Sequence, residues 1–142
     1  MRFDDFVAVA RVAHEGMVDK AGAPYIDHPL RVAAAVDGAS DKIVAVLHDV
    51  LEDCGMSINH GVFAGLSGAE RAALVAISKL PGEDYADYLR RVVANPIARR
   101  VKLADIADNM DLSRLPDPGP ADYARVEKYK VAKLFLESVD YF

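Results

Sequence analysis

Four polar side chains stand in stretches that otherwise read as apolar interior. His28 precedes Pro29, His48-Asp49 sits inside the apolar run from Ile43 to Leu51, and Asp105 follows Val101 and Leu103. A charge in such a place is costly unless it is paired or bound to a metal. Two imidazoles and two carboxylates converging from separate helices would satisfy one another by holding a divalent cation. The neighbours His48 and Asp49 are about 100° apart around a helix, so both can reach one ion at its flank. Mixed nitrogen and oxygen ligation suits manganese, iron, cobalt or magnesium better than a thiolate-seeking ion. Glu52 follows His48 by four residues and Asp53 follows Asp49 by four. On a continuous helix that spacing stacks each pair on one face. A second carboxylate pair beside a cation is what a hydrolase uses to orient and deprotonate an attacking water. Asn109, four residues after Asp105, offers a substrate a neutral donor and acceptor.

Taken singly, each of these residues has an ordinary explanation. His28 could cap a helix, Asp105 could pair with Lys102 at helical spacing, and Glu52-Asp53 could be a solvated helix end. Those explanations would all have to hold independently, and the joint pattern favours a metal site. Asp108 and Asp111 read as a wet face rather than as ligands. His14 fits a packed position or the pocket equally well, and His60, in a glycine-containing loop, reads as no ligand. Cys54 reads as a small residue with no spare histidine placed to activate it. Lys20, Arg31, Lys79, Lys102 and Arg114 are candidates for a phosphate-binding lining, while Tyr25, Tyr85, Tyr88, Tyr123 and Tyr129 read mostly as core.

The elements that must carry these residues follow from spacing. Apolar residues recur at intervals of three and four, the helical period. Phe3, Phe6, Val7, Ala10 and Ala13 predict a first helix running to His14, followed by a loop from Gly16 to Asp27. A second helix is predicted from Pro29, and a third carries Ile43, Val44, Leu47, Val50 and Leu51 from a cap at Ser40 or Asp41 to Gly55. Ser67 and Glu70 form a capping-box pattern ahead of Leu74, Val75 and Ile77. Pro81-Gly82 ends that helix, and Tyr85 to Val92, Ile97 to Met110 and Asp122 to Val139 complete the set. The reading is all-α, a single bundle of roughly six to eight short helices over residues 1–142.

Composition sets the outer limits. The 142 residues carry 22 acidic and 17 basic side chains, a net charge of −5, with 52% hydrophobic residues. That apolar content excludes a disordered chain. One cysteine excludes a disulfide framework or thiolate cage and fits a reducing, cytoplasmic setting. The acidic balance argues against nucleic acid, whose phosphates select basic faces, and leaves room for a small phosphorylated ligand. No apolar run reaches the roughly 18 residues of a membrane span. The oligomeric state is left open.

With these pieces in place, the sequence resembles the HD-domain metal-dependent phosphohydrolases. Within them it resembles the hydrolase domain of RelA/SpoT-type alarmone enzymes and their small single-domain relatives. The resemblance is carried by Ala13-His14-Glu15-Gly16, Pro24-Tyr25-Ile26-Asp27-His28-Pro29-Leu30, Leu47-His48-Asp49-Val50-Leu51-Glu52-Asp53, Ser78-Lys79-Leu80 and Val101-Lys102-Leu103-Ala104-Asp105, continuing to Met110. It implies an HD-domain bundle whose positions His28, His48, Asp49 and Asp105 bind manganese. It also implies that Glu52 and Asp53 handle the water, that Asn109 contacts the nucleotide, and that pyrophosphate is removed from the 3′ position of (p)ppGpp. Lys20, Lys79 and Lys102 would neutralise the diphosphate. Two departures remove positive charge from the expected nucleotide pocket. The loop Met17 to Gly22 has Lys20 alone where the family has an arginine-lysine pair, and Asp111 stands where the family tends to have arginine. A nucleotide or phosphomonoester hydrolase of other specificity therefore stands as an alternative, as does a non-catalytic nucleotide-binding module. The length predicts no room for a synthetase domain.

Overall fold

Each helix begins and ends where the local chemistry requires. The structure is a computed structural model that describes residues 2–138. Helix α1 (Arg2–Ala13) has Asp4 and Asp5 in its first turn, where the helix dipole favours negative charge, and turns Phe6 and Ala10 inward. Helix α2 (Asp27–Ala34) has Pro29 early enough that its missing N–H removes no helical bond. It is followed by α3 (Ala39–Leu47) and the short α4 (Val50–Asp53). A 3₁₀ turn at Gly61–Phe63 leads to α5 (Gly68–Ile77), whose Ser67/Glu70 capping box forms as the spacing predicts. Helix α6 (Tyr85–Val93) follows Gly82, which turns the chain with a φ of 75°. Asn95 caps α7 (Pro96–Met110), accepting from the Ala98 N–H, and α8 (Pro120–Ser138) closes the bundle. Among the described residues no strand occurs, only an isolated bridge between Val18 and Pro24. The predicted end of the last helix, Val139, lies outside them. No helix among them is long and apolar enough to cross a membrane.

Helix α3 is the axle of the bundle. Ile43 through Leu47 are all buried, because the helix is surrounded by α1, α2, α5 and α7. Helix α7 runs alongside, touching α2, α3, α5, α6 and α8. Helices α2, α3 and α7 therefore pack mutually, and this brings the stretches around His28, His48 and Asp105 together.

Two local expectations are corrected. The predicted third helix does not run unbroken to Gly55; it stops at Leu47 and resumes at Val50. The cause is His48 itself. The Ala45 carbonyl, which a continuous helix would offer to the Asp49 N–H, accepts from the His48 N–H at 3.3 Å and from His48 Nδ1 at 2.6 Å. Neither Ser40 nor Asp41 caps α3, whose N-cap is Gly38. Ser40 instead donates to Glu70 at 2.6 Å, and Asp41 receives the Arg100 guanidinium at 2.6 and 3.0 Å.

Candidate metal centre

The interruption after Leu47 aims two adjacent side chains at one point. His48, the C-cap of α3, is buried, and Asp49 follows with a backbone still near the helical region. His48 Nε2 lies 3.2 Å from Asp49 Oδ2 and 3.2 Å from Asp105 Oδ1. From α2, His28 Nε2 lies 2.8 Å from Asp105 Oδ1 and 3.8 Å from Asp49 Oδ2. The ligand atoms of His28, His48 and Asp49 all fall within 4.8 Å of one another. Asp105 touches both rings and is itself buried. The four expected ligands thus converge from three packed elements.

The hydrogen bonds on the far side of each ring test whether a cation fits. Nδ1 of His48 donates to the Ala45 carbonyl at 2.6 Å, and Nδ1 of His28 donates to Asp108 Oδ2 at 2.6 Å. A neutral ring with its proton on Nδ1 presents the Nε2 lone pair inward, the arrangement of a metal-bound histidine. Those lone pairs would face carboxylate oxygens at hydrogen-bond distance, acceptor against acceptor. The cluster therefore demands positive charge between its members. The same demand is visible in the titration of the histidines. Burial opposes charging His48, yet Asp49 and Asp105 outweigh it and raise its pKa to about 9. Burial likewise opposes charging His28, but its bond to Asp105 leaves the pKa above the usual value. A divalent cation answers this demand with a donor set of two imidazoles and two carboxylates. The residues fit a metal.

Above the centre opens a cavity of about 450 Å³, lined among others by Tyr25, His28, His48, Asp49, Glu52 and Asp105. Glu52 accepts from the Lys79 backbone N–H at 2.9 Å. Asp53 does not line the cavity; its Oδ2 lies 3.4 Å from the Tyr25 hydroxyl. Burial, together with the charges of Asp49 and Glu52, pushes the Asp53 carboxyl up to about 6. Asp53 remains one helical turn beyond Asp49, its N–H donating to the Asp49 carbonyl at 2.8 Å.

The expected substrate-binding residues separate into three kinds. Lys20 lies on the cavity wall, exposed. Lys102 also reaches the wall, but its Nζ is 2.9 Å from Asp105 Oδ2 and sits over the Tyr88 ring. Its role is to balance a buried carboxylate. Lys79 is not on the wall and contributes a backbone donor to Glu52. Asn109 lines the cavity and donates to Asp105 Oδ1 at 3.1 Å, so part of its donor capacity is spent on the centre.

Two contacts had no signal in residue spacing. Tyr25, expected in the core, donates its hydroxyl to Asp49 Oδ2 at 2.7 Å. Asp108, expected on a wet face, accepts from His28 and from both Nε and Nη2 of Arg31, at 2.8 and 3.1 Å. Cys54 does have a histidine beside it, since His14 Nδ1 is 3.4 Å from its sulfur. Burial raises the Cys54 pKa, helped by Asp53 and Asp49, and burial lowers that of His14, so both stay neutral. That pair is not an activated nucleophile.

The chain is similar to known proteins over most of its length. No protein-family model matches the chain. The chain is 32% identical over 117 residues to the guanosine-3′,5′-bis(diphosphate) 3′-pyrophosphohydrolase of Vibrio cholerae, covering 79% of this chain and 16% of that protein. It is 33% identical over 120 residues to the bifunctional (p)ppGpp synthase/hydrolase SpoT of Escherichia coli, covering 72% of this chain and 16% of SpoT. The chain thus spans 16% of the length of these curated relatives. Its fold matches that of a metazoan SpoT ortholog, a protein that hydrolyses ppGpp and plays a role in starvation responses. That match has a TM-score of 0.74 and 18% identity, over 95% of this chain and 84% of that one. The domain is RelA/SpoT-like.

Proposed function

We propose that this chain, residues 1–142 acting as one unit, is a manganese-dependent phosphohydrolase that releases pyrophosphate from the 3′ position of (p)ppGpp or a related nucleotide. The observation that carries the reading is the convergence of His28, His48, Asp49 and Asp105, with both Nδ1 atoms already engaged, at the floor of the cavity. The sequence similarity to a 3′-pyrophosphohydrolase and to a synthase/hydrolase of this nucleotide supports the substrate class. The four residues would hold manganese or another divalent cation, which supplies Lewis-acid polarisation of the phosphoryl group and of the attacking water.

The chain's own residues supply the rest. Tyr25 orients Asp49 by donating to Oδ2, the oxygen that also faces the two imidazole rings. Lys102 keeps Asp105 ionised: burial pushes that carboxyl up, but Lys102 and His48 hold it well below the usual range. Glu52, anchored by the Lys79 N–H, borders the space where a water would stand. Asp53, which stands behind the cavity wall, accepts through Glu52 the proton that the water loses. In the balanced step, water oxygen bonds to the phosphorus attached at O3′, the P–O3′ bond breaks, and O3′ takes a proton. The products are pyrophosphate and the 3′-hydroxyl nucleotide.

The direct test is incubation with ppGpp and manganese, reading pyrophosphate, and repeating after chelation. Metal-dependent pyrophosphate release is expected; none from ppGpp or any nucleotide of a panel rejects the reading. One observation favours a second specificity. The wall carries Asp19 and Asp111, and its arginines are occupied: Arg31 by Asp108, Arg114 by Asp111 and Arg125 by Asp122. A substrate with fewer phosphates suits that balance, and release of orthophosphate from such a nucleotide would distinguish it.

A pH profile tests Asp53. A carboxyl with a raised pKa accepts a proton only once it has lost its own, so the rate falls as pH drops through about 6. A bound cation offsets part of the Asp49 charge, which sets the limb at or below that value. Asp53→Asn is expected to lower kcat roughly 100-fold and remove the limb. An unchanged acid limb in that variant rules Asp53 out as the acceptor.

A further inference from the structure

The two histidines of the centre are held from behind in different ways. His48 is held by a backbone carbonyl, Ala45, one turn away on its own helix. His28 is held by a side chain 80 residues distant, Asp108, and that side chain is itself clamped. Arg31, three residues after His28, donates from Nε to Asp108 Oδ1 at 2.8 Å and from Nη2 to Asp108 Oδ2 at 3.1 Å. This is the two-pronged guanidinium–carboxylate geometry that fixes both groups in a plane. Arg114 adds a third constraint, its Nη2 donating to the Asp108 backbone carbonyl at 3.0 Å. The Asp108 side chain is only 12% exposed.

We propose that Asp108, clamped by Arg31, is a positioning residue that fixes the proton of His28 on Nδ1 and thereby sets the affinity of the centre for its cation. The inference rests on reading the four convergent residues as a metal centre. His28 Nε2 stands 2.8 Å from Asp105 Oδ1. Without an acceptor behind the ring, the proton is drawn to Nε2, where it bonds to Asp105 and occupies the lone pair that would ligate. With Asp108 in place, Nδ1 keeps the proton and Nε2 stays available. Partners that orient ligating histidines in this way typically govern affinity by 10- to 100-fold.

A rival account makes Asp108 a mere source of negative charge near the cation, and the sign of one variant separates the two. Removing the Arg31 charge would tighten cation binding if only long-range electrostatics mattered. If Arg31 acts by holding Asp108, its removal weakens binding. A structural tie between α2 and α7 is separated too, because it would lower melting temperature without changing the affinity of the folded protein.

The experiment is calorimetric titration of the folded chain with Mn²⁺ alone, with thermal melts recorded before metal is added. Asp108→Asn is expected to weaken binding about 10- to 100-fold. Arg31→Gln is expected to weaken it less, and the double variant no more than Asp108→Asn alone, because Arg31 acts through Asp108. Unchanged affinity in Asp108→Asn overturns the proposal, as does tighter binding in Arg31→Gln or a loss that adds fully in the double variant. Should Asp108→Asn not fold, Arg31→Lys keeps the charge and removes the fork. Weaker binding there supports the proposal and unchanged binding overturns it. Failure of the unsubstituted chain to bind Mn²⁺ rejects the metal centre itself and this inference with it, an outcome distinct from the others.

Discussion

His48→Ala is expected to reduce metal-dependent pyrophosphate release from ppGpp about 1,000-fold and to strip divalent cation from the purified protein. The magnitude follows from the several kcal/mol that a cation supplies to a developing phosphoryl charge, each 1.36 kcal/mol being a factor of ten. His48 is buried at the meeting point of Asp49 and Asp105, within 3.2 Å of each. Removing the ring also takes away one of the two nitrogen donors that face the carboxylates. The fold should survive. The ring contributes one hydrogen bond to a backbone carbonyl that keeps its bond from the His48 N–H. Losing such a bond costs about 1–2 kcal/mol against a typical stability of roughly 5–15 kcal/mol. Turnover and metal content are measured together, with circular dichroism as the folding control. A helical variant that retains both its cation and its rate would remove His48 from the centre.

The second large effect concerns stability and lies away from the centre. Glu70 is 1% exposed, yet ionised. It accepts from Ser40 Oγ at 2.6 Å, from the Ser67 N–H at 2.9 Å and from Arg2, whose guanidinium reaches both oxygens. It therefore ties α1, α3 and α5 together at one end of the bundle while completing the capping box. Burial pushes the carboxyl up, but the bonds from Arg2, Ser40 and Ser67 outweigh it, and the pKa falls from 4.5 to about 2. A carboxyl whose folded pKa is depressed contributes stability that is fully present above the unfolded value. That contribution is lost as pH falls through the folded value. The window here runs from about pH 4.5 down to about 2. The shift corresponds to about 3 kcal/mol. Glu70→Gln should lose about that much at pH 7, lower Tm by roughly 10 °C, and flatten stability over the acid window. Urea unfolding at pH 7 and at pH 3 measures it. A variant as stable as the parent at pH 7, or one equally sensitive to acid, contradicts the role assigned to Glu70.

The sequence by itself determined the class of the fold, the capping of α5 and the residues of the centre, and the physical reasons are local. Apolar spacing of three and four marks helices, because only one face of each is buried. Ser67 and Glu70 act within one turn. His28, His48, Asp49 and Asp105 stood out because ionisable groups among apolar neighbours demand partners. Even the pairing of Lys102 with Asp105 lies at helical spacing. What tertiary structure alone decided involves contacts across the chain. Arg31 and Asp108 are 77 residues apart and Tyr25 and Asp49 are 24 apart, so no periodicity relates them. Both pairs form because α2, α3 and α7 pack mutually. The break after Leu47 belongs to the same class, since the Ala45 carbonyl is taken by a ring whose other nitrogen faces Asp105 on α7. The residue types marked the ionisable groups in play. Packing decided which nitrogen holds each proton, and the chemistry of the centre depends on that.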